Sequence, residues 1–146
     1  MATVREAIVF WLNGIASLTS IIGSRIYWER PSQLSFYPCL TIESSGRTYG
    51  HNLSGADGVG AMTFKFTGLA ITEAVAVSII EALRNNMDGF RGMQNGVAVL
   101  VAFLDEENDD TSQPIDGSDR WIYEVSAEYS VRHRVPLPTN VTQTNV

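Results

Sequence analysis

The sequence predicts an α+β fold, in which a mainly antiparallel sheet of about four to five strands carries two helices packed on one face. Two observations predict this class. Segments with helical and with strand periodicity follow one another in the order helix, strand, strand, helix, strand, strand. Hydrophobic residues make up 45% of the 146 residues, which is enough for the core of one domain. We therefore expect a single α+β domain over residues 1–135, followed by a polar C-terminal extension over residues 136–146.

The first predicted helix begins at a capping box, in which the Thr3 hydroxyl and the Glu6 carboxylate satisfy free backbone N–H groups. It should end near Leu18. Apolar residues lie outside its main stripe, so the helix is apolar over most of its circumference. Such a helix is either buried in the core or partly in contact with a neighbouring subunit. The apolar residues outside the stripe that could meet a neighbour include Val9, Phe10 and Leu12.

The middle of the chain predicts two strands with a long connection between them. The first strand begins at Cys39. Residues 44–60 are rich in glycine and predict a long turn or the tip of a protruding hairpin. Residues 61–70 predict the second strand, because apolar side chains alternate with polar ones; one face carries Met62, Phe64 and Phe66.

The second half predicts a helix and two further strands. Thr72 is a suitable N-cap for a helix that should last to about Asn85. Residues 97–104 are apolar on both faces, as expected of a central strand that is covered twice. The acidic residues 105–110 predict a solvated loop. The last strand alternates, with one side formed by Trp121, Tyr123, Val125, Ala127, Tyr129 and Val131.

The charge balance argues against several classes of partner. Lys and Arg number 10 against 16 Asp and Glu, which gives a net charge of −6. A nucleic-acid-binding protein needs concentrated cations to displace counterions, and an anionic membrane would repel this chain. The apolar run 97–104 is far shorter than the ~20 residues of a membrane helix. The N-terminus lacks the pattern of a signal peptide, so we expect synthesis in a reducing, intracellular compartment.

The sequence offers no motif for catalysis, for a metal or for a cofactor. Cys39, His51 and His133 are its strong nitrogen or sulfur ligands, and no zinc spacing can be written with them. The acidic residues 105–110 lack the glycine and terminal glutamate of a calcium loop. The glycines of residues 44–60 do not have the spacing of a phosphate-binding loop. We predict no enzyme activity, no catalytic residue, no metal and no cofactor.

Four features follow one another over residues 3–134. They are an amphipathic opening helix that runs into residues 21–27, a proline-punctuated loop that ends at 38–42, a Phe-Lys-Phe strand followed by the helix with residues 79–83, and an acidic connection to the aromatic strand 121–134. In their order and spacing they resemble the tail-terminator (tail-completion) proteins of long-tailed bacteriophages and related gene-transfer particles. The chain departs from that pattern in its glycine-rich loop and its polar C-terminal extension.

The resemblance implies a structural role. Such proteins form a ring, commonly hexameric, on the head-proximal end of the tail tube, where the ring stops polymerisation and meets the head-completion or connector protein. It implies a homo-oligomer whose partners are the tube protein and the connector. DNA would only pass through the channel, without specific binding, and no membrane would be involved. The protein would be made in the bacterial host cytoplasm and reside in the virion tail.

We expect contacts with subunits or partners on the opening helix and on two loops, residues 47–60 and 105–120, that could adapt to unlike neighbours. One hypothesis places part of the acidic run on the channel wall, where carboxylates would repel DNA phosphates; an outward-facing loop that aids solubility is the alternative. The candidate interface residues are Val9, Phe10, Leu12, Arg47, Tyr49, His51, Asn52, Asp105, Glu106, Asp109 and Asp110.

Two other functions stay open on the sequence. A head-closure or tail-tube protein of the same assembly would have a similarly small α/β or β-rich subunit. A small dimeric ligand-binding or regulatory domain belongs to a different class, and it would need a pocket with converging polar groups.

Overall fold

The computed structural model describes residues 3–29, 37–53, 55–112 and 122–137. Trp121 and most of the predicted C-terminal extension lie outside these residues. The described ranges form three helices, α1 (Val4–Asn13), α2 (Ala16–Ile22) and α3 (Glu73–Met87). Their strands are β1 (Ile26–Trp28), β2 (Cys39–Asn52), β3 (Gly55–Ala70), β4 (Gly92–Gln94), β5 (Val97–Ser112) and β6 (Ile122–Arg134). In these ranges we find no helix with the length and apolar character needed to cross a membrane.

The six strands form one sheet in the order β1-β2-β3-β6-β5-β4. β1 runs parallel to β2, and the other neighbouring pairs are antiparallel. The sheet is a curled, mixed half-barrel, and strands account for 55% of the described residues. The predicted fold class was therefore wrong, because it had four to five antiparallel strands and two helices. The strands it missed, β1 and β4, have 3 residues each, too few for an alternating pattern to show.

The β2–β3 hairpin occupies most of the segment that was predicted as a connection. The two strands stay paired out to Asn52 opposite Gly55. Residues 44–60 were predicted as either a long turn or the tip of a protruding hairpin. The long turn was wrong, and the hairpin is the form closer to the structure. The glycines serve irregularities inside a strand: Gly46, with φ of 60°, and Gly50 lie at two shifts of register in β2. A bulge places an extra residue in one strand, and a positive φ there favours glycine.

The acidic residues 105–110 form the second half of β5 instead of the predicted loop. Glu106 lies opposite Glu128, and Asp110 lies opposite Glu124. Intrinsic strand propensity is a weak guide where a partner strand is available. Pairing with the long strand β6 therefore extends β5 through a sequence that would otherwise be a loop.

The first half of β5 is less covered than predicted. Residues 97–104 were expected to be central and enclosed on both faces, and this was wrong. β4 pairs only as far as Val99; beyond it residues 88–90 hydrogen-bond to Ala102 and Leu104, and no further strand of the described chain follows on that edge. Phe103 is 51% exposed.

The opening helix was predicted as one element to Leu18, but it consists of two. The Thr3 cap is confirmed, since its hydroxyl accepts the backbone N–H of Glu6 at 3.2 Å. α1 ends at Gly14, whose N–H bonds back to the carbonyl of Trp11, and Ile15 is extended before α2 begins. Gly14 keeps a right-handed φ of −87°, so the helix is interrupted at the extended Ile15 although the apolar pattern continues through it.

The helix α3 and the strand β6 agree with the sequence. α3 follows Thr72 and ends within two residues of the predicted Asn85. On β6 the predicted alternation is confirmed over the described residues. The buried side of that strand carries Val125, Ala127, Tyr129 and Val131.

One core joins the three helices to a single face of the sheet. At its centre, the rings of Phe66 and Tyr129 meet edge to face with centroids 5.6 Å apart. Gly68 lets α3 approach β3 closely, since a Cβ at that position would lie 3.0 Å from Ile79 Cγ2. The other face, which we call the outer face, is covered at one end by a small cluster of Cys39, Leu69 and Ile122 with Tyr27 and Tyr37.

Replacing Tyr129 by Phe should stabilise the protein by up to about 1 kcal/mol, because the buried Tyr129 hydroxyl has no hydrogen-bond partner in the described structure. Chemical denaturation measures the change in the free energy of unfolding. Tyr129→Ala is the matched control, and it should cost about 3 kcal/mol through the cavity it leaves. A clear loss of stability in Tyr129→Phe would contradict the unpartnered hydroxyl.

Candidate functional site

The predicted interface residues of the opening helix separate into core and surface. Leu12 is fully buried and belongs to the core. Val9 is half-buried and packs against that core. Phe10 is 56% exposed, so it is the apolar side chain that α1 offers to a partner.

The predicted residues on the hairpin are exposed along β2. Arg47, His51 and Asn52 are exposed, and Tyr49 is 53% exposed. Arg47 and Tyr49 lie on the part of β2 that reaches the groove described below. His51 and Asn52 lie closer to the tip of the hairpin, away from the groove lining.

Strand geometry divides the acidic run between two sides of the sheet. A shift of register between Leu104 and Glu106 puts Asp105 and Glu106 together on the outer face. Asp110, opposite Glu124, also lies on that face. Asp109 is opposite the buried Val125 and so belongs to the helix side.

Charges on the outer face form a row across four strands. Glu43 lies opposite Lys65, Lys65 opposite Glu128, and Glu128 opposite Glu106. The first three alternate in sign, but the row ends on two carboxylates. Like charges directly opposite one another on a sheet are destabilising. Glu106 therefore stands at the open edge of β5 without a cation beside it in the row.

An exposed aromatic residue stands beside these acids. Phe103 lies opposite Ser130 on the outer face. The Ser130 hydroxyl donates to the Asp105 carboxylate at 2.5 Å, which fixes that carboxylate next to the strand. We call Phe103, Asp105 and Glu106 the Phe103 patch.

A groove of about 550 Å³ lies where the N-terminus of α1 meets β2, β3, the β4–β5 turn and the end of β6. Three arginines from distant parts of the chain line it: Arg5, Arg47 and Arg134. Its lining is mostly apolar, and we call it the basic groove. The apolar residues include Val4, Tyr49, Met62, Met93, Val97 and Val135.

The arginines of the basic groove are free to meet an anion. Within the described part of the chain the ion pair joins Arg84 to Glu107, at 3.2 Å, and involves none of the three. Arg5 lies over the ring of Trp28, 4.1 Å from its centroid, which orients the guanidinium without neutralising it.

Sequence reasoning found only Arg47 and Tyr49 among the residues of the groove. Arg5 and Met93 carry no motif. Arg134 was interpreted with Arg132 and His133 as a cation cluster at the end of a strand, and that cluster alone does not indicate a groove. The signal for Phe103 was present, since an aromatic residue stands next to an acidic run. It was interpreted as part of a covered strand.

His133 forms a buried wall of the basic groove. It is 6% exposed, and its Nε2 has no partner in the described structure. Burial lowers the pKa of His133, and a weak contact of its Nδ1 with the Arg134 carbonyl, at 3.4 Å, opposes that shift. The ring packs against Gly60, where a Cβ would lie 3.1 Å from His133 Cε1.

The surface groups of the described residues suit binding to another molecule. No group of three or more His, Cys, Asp or Glu among them is arranged to hold a metal ion. Burial raises the pKa of the Cys39 thiol to about 11, against a smaller lowering by Arg25, so this thiol stays protonated at neutral pH. A protonated thiol is a poor nucleophile. The basic groove and the Phe103 patch combine apolar surface with unpaired charge, which suits contact with a macromolecule.

The comparisons with known proteins give a structural likeness. No protein-family model matches the chain. No curated protein matches its sequence. Its fold is similar to that of a chain in the solved structure of the virion of a native gene transfer agent particle. The TM-score is 0.59 and the sequence identity 12%, and the match covers 85% of this chain and 89% of that chain. At this identity the likeness shows a shared fold.

The position of His133 predicts a loss of stability on acidification. The pKa of His133 is lowered in the folded protein, so the unfolded chain binds the proton more strongly. The stability associated with neutral His133 is complete above the unfolded pKa of about 6.5 and declines as the pH falls toward the folded pKa.

Urea denaturation at pH 7 and at pH 5 measures this loss. His133→Gln should show a smaller drop between the two pH values than the wild type. His51→Gln, at an exposed position, is the control and should keep the wild-type drop. Equal drops in all three proteins would show that His133 is not the group responsible.

Proposed function

We propose that this chain is a structural subunit of a phage or phage-like tail, and that it forms a ring which caps the head-proximal end of the tail tube. The ring stops tube polymerisation and joins the tube to the head connector. The observation that carries the proposal is the fold it shares with a chain of the gene transfer agent virion, over most of both chains. The order and spacing of features along the sequence, which resemble those of tail-terminator proteins, support the same role.

The surface chemistry supports an assembling protein. The described chain exposes an aromatic residue on α1, another on β2 and a third on β5, namely Phe10, Tyr49 and Phe103. Aromatic residues and arginine are enriched in protein–protein interfaces. A ring subunit needs a contact on each side, and these residues lie on separate elements.

The partners follow from the same role. We infer a homo-oligomer, hexameric by analogy with the family it resembles, in contact with the tail tube protein and the head-completion protein. DNA would pass through the channel without specific binding, in keeping with the net charge of −6. The protein would reside at the head-proximal end of the virion tail and have no enzymatic activity.

The test combines native mass spectrometry with electron microscopy of tail tubes. We expect either a closed ring of defined mass, or a monomer that binds only at tube ends. Added to polymerising tube protein, it should shorten the tubes, because a capped end cannot grow.

Three outcomes would contradict the terminator role. Polymerisation of the purified chain without limit would indicate a tube protein. A stable dimer that ignores tubes would indicate a ligand-binding or regulatory domain, and the head-closure alternative would bind the connector but leave tube length unchanged.

A further inference from the structure

We propose that the basic groove of one copy of this chain receives the Phe103 patch of the next copy. The proposal rests on the ring function above and assigns the residues through which neighbouring subunits would meet. Phe103 would enter the apolar part of the groove, while Asp105 and Glu106 meet its arginines.

The basic groove has a charge opposite to that of the protein as a whole. The chain has a net charge of −6 and 10 Lys and Arg residues, yet three arginines surround one apolar depression. Their charge is held by guanidinium groups, whose planar arrangement of N–H donors matches a carboxylate. Such a groove selects an apolar side chain that is flanked by carboxylates.

The Phe103 patch has that composition. Phe103 is 51% exposed on the outer face, beside two carboxylates. The Ser130 hydroxyl fixes the position of Asp105 before any partner arrives. Glu106 faces Glu128 and so lacks a cation across the strands. An arginine from a neighbouring copy would supply that cation and relieve the repulsion.

The contact has to form between two copies. Phe103 does not line the groove of its own chain, and β5 and β6 hold it several residues along the sheet from Arg134. Groove and patch are different surfaces, so each copy would use its groove with one neighbour and its patch with the other. A contact of this head-to-tail kind closes into a ring when the rotation between copies allows it.

The size of the contact indicates its role. A phenylalanine buries roughly 200 Å², whereas a stable interface buries about 800 Å² on each partner. The groove and patch would therefore set the register of neighbouring subunits within a larger interface. Charge matching of this kind contributes specificity and speeds association.

A pair of charge reversals tests the proposal. Arg47→Glu makes the groove less basic and leaves the patch acidic, while Glu106→Lys changes the patch and leaves the groove intact. Each variant alone should lose assembly by about ten-fold or more, because one attractive charge at every interface is then replaced by a repulsive one. Mixed in equal amounts they should restore rings, since an altered groove then meets an altered patch.

The readout is native mass spectrometry with one variant isotopically labelled. If the wild type assembles only on tube ends, the same measurement is made on rings assembled there. Restored rings should contain the two variants in equal numbers. Glu106→Lys also has an internal control for folding. It removes the repulsion with Glu128, so the isolated variant should unfold at the same temperature as the wild type or higher, even though it fails to assemble.

The apolar half of the contact is tested by Phe103→Thr. Threonine suits a strand, so the fold should survive while assembly weakens several-fold. Ile71→Thr is the control, because Ile71 is 44% exposed and lies outside both the groove and the patch.

The outcomes separate this proposal from the proposed function. Wild-type rings together with normal rings from Arg47→Glu, Glu106→Lys and Phe103→Thr would overturn the docking contact and leave the ring function standing. A wild type that forms neither rings nor tube caps would overturn both. Loss of assembly in each single charge variant that mixing fails to restore would also overturn the contact.

Discussion

The antiparallel register between β3 and β6 is the constraint on which the rest of the structure depends. It runs from Val59 opposite Arg134 to Ala70 opposite Tyr123. Within it, Phe64 faces Tyr129 on the side that the helices cover. A slip of one residue would turn every side chain of one strand to the other face. The aromatic core and the helices packed on it thus fix one alignment of β3 and β6.

The same register organises the outer face. Lys65 is placed between Glu43 and Glu128, and β5 then adds Glu106 to the row as a second carboxylate next to Glu128. Ala102 and Leu104 of β5 belong to the same core, so β5 stays beside β6 although Glu106 and Glu128 repel each other. Charges along a strand edge discourage indiscriminate pairing with other sheets. The carboxylates of β5 therefore protect that edge and leave Glu106 without a cation in the row.

The sequence was sufficient for elements whose own pattern decides their structure. α3 and the buried side of β6 belong to this group, because their apolar residues repeat with helical or strand spacing within the segment itself. It was insufficient where a distant partner decides. The acidic composition of residues 105–110 predicts a loop, but pairing with β6 makes them a strand. The glycines of residues 44–60 predict a turn, but pairing with β3 places Gly46 and Gly50 at shifts of register within β2. The basic groove was beyond prediction for the same reason, since Arg5 and Arg134 come together only through the fold.

The buried wall of the basic groove bears on how the groove would behave. Gly60 allows the His133 ring to lie against the strand, and burial favours the neutral form of that ring. The positive charge of the groove therefore comes from its three arginines, because the buried His133 ring favours the neutral form. In the contact proposed above, carboxylates of a neighbouring copy would meet these guanidinium groups, while His133 packs against Gly60 and supports the wall behind them.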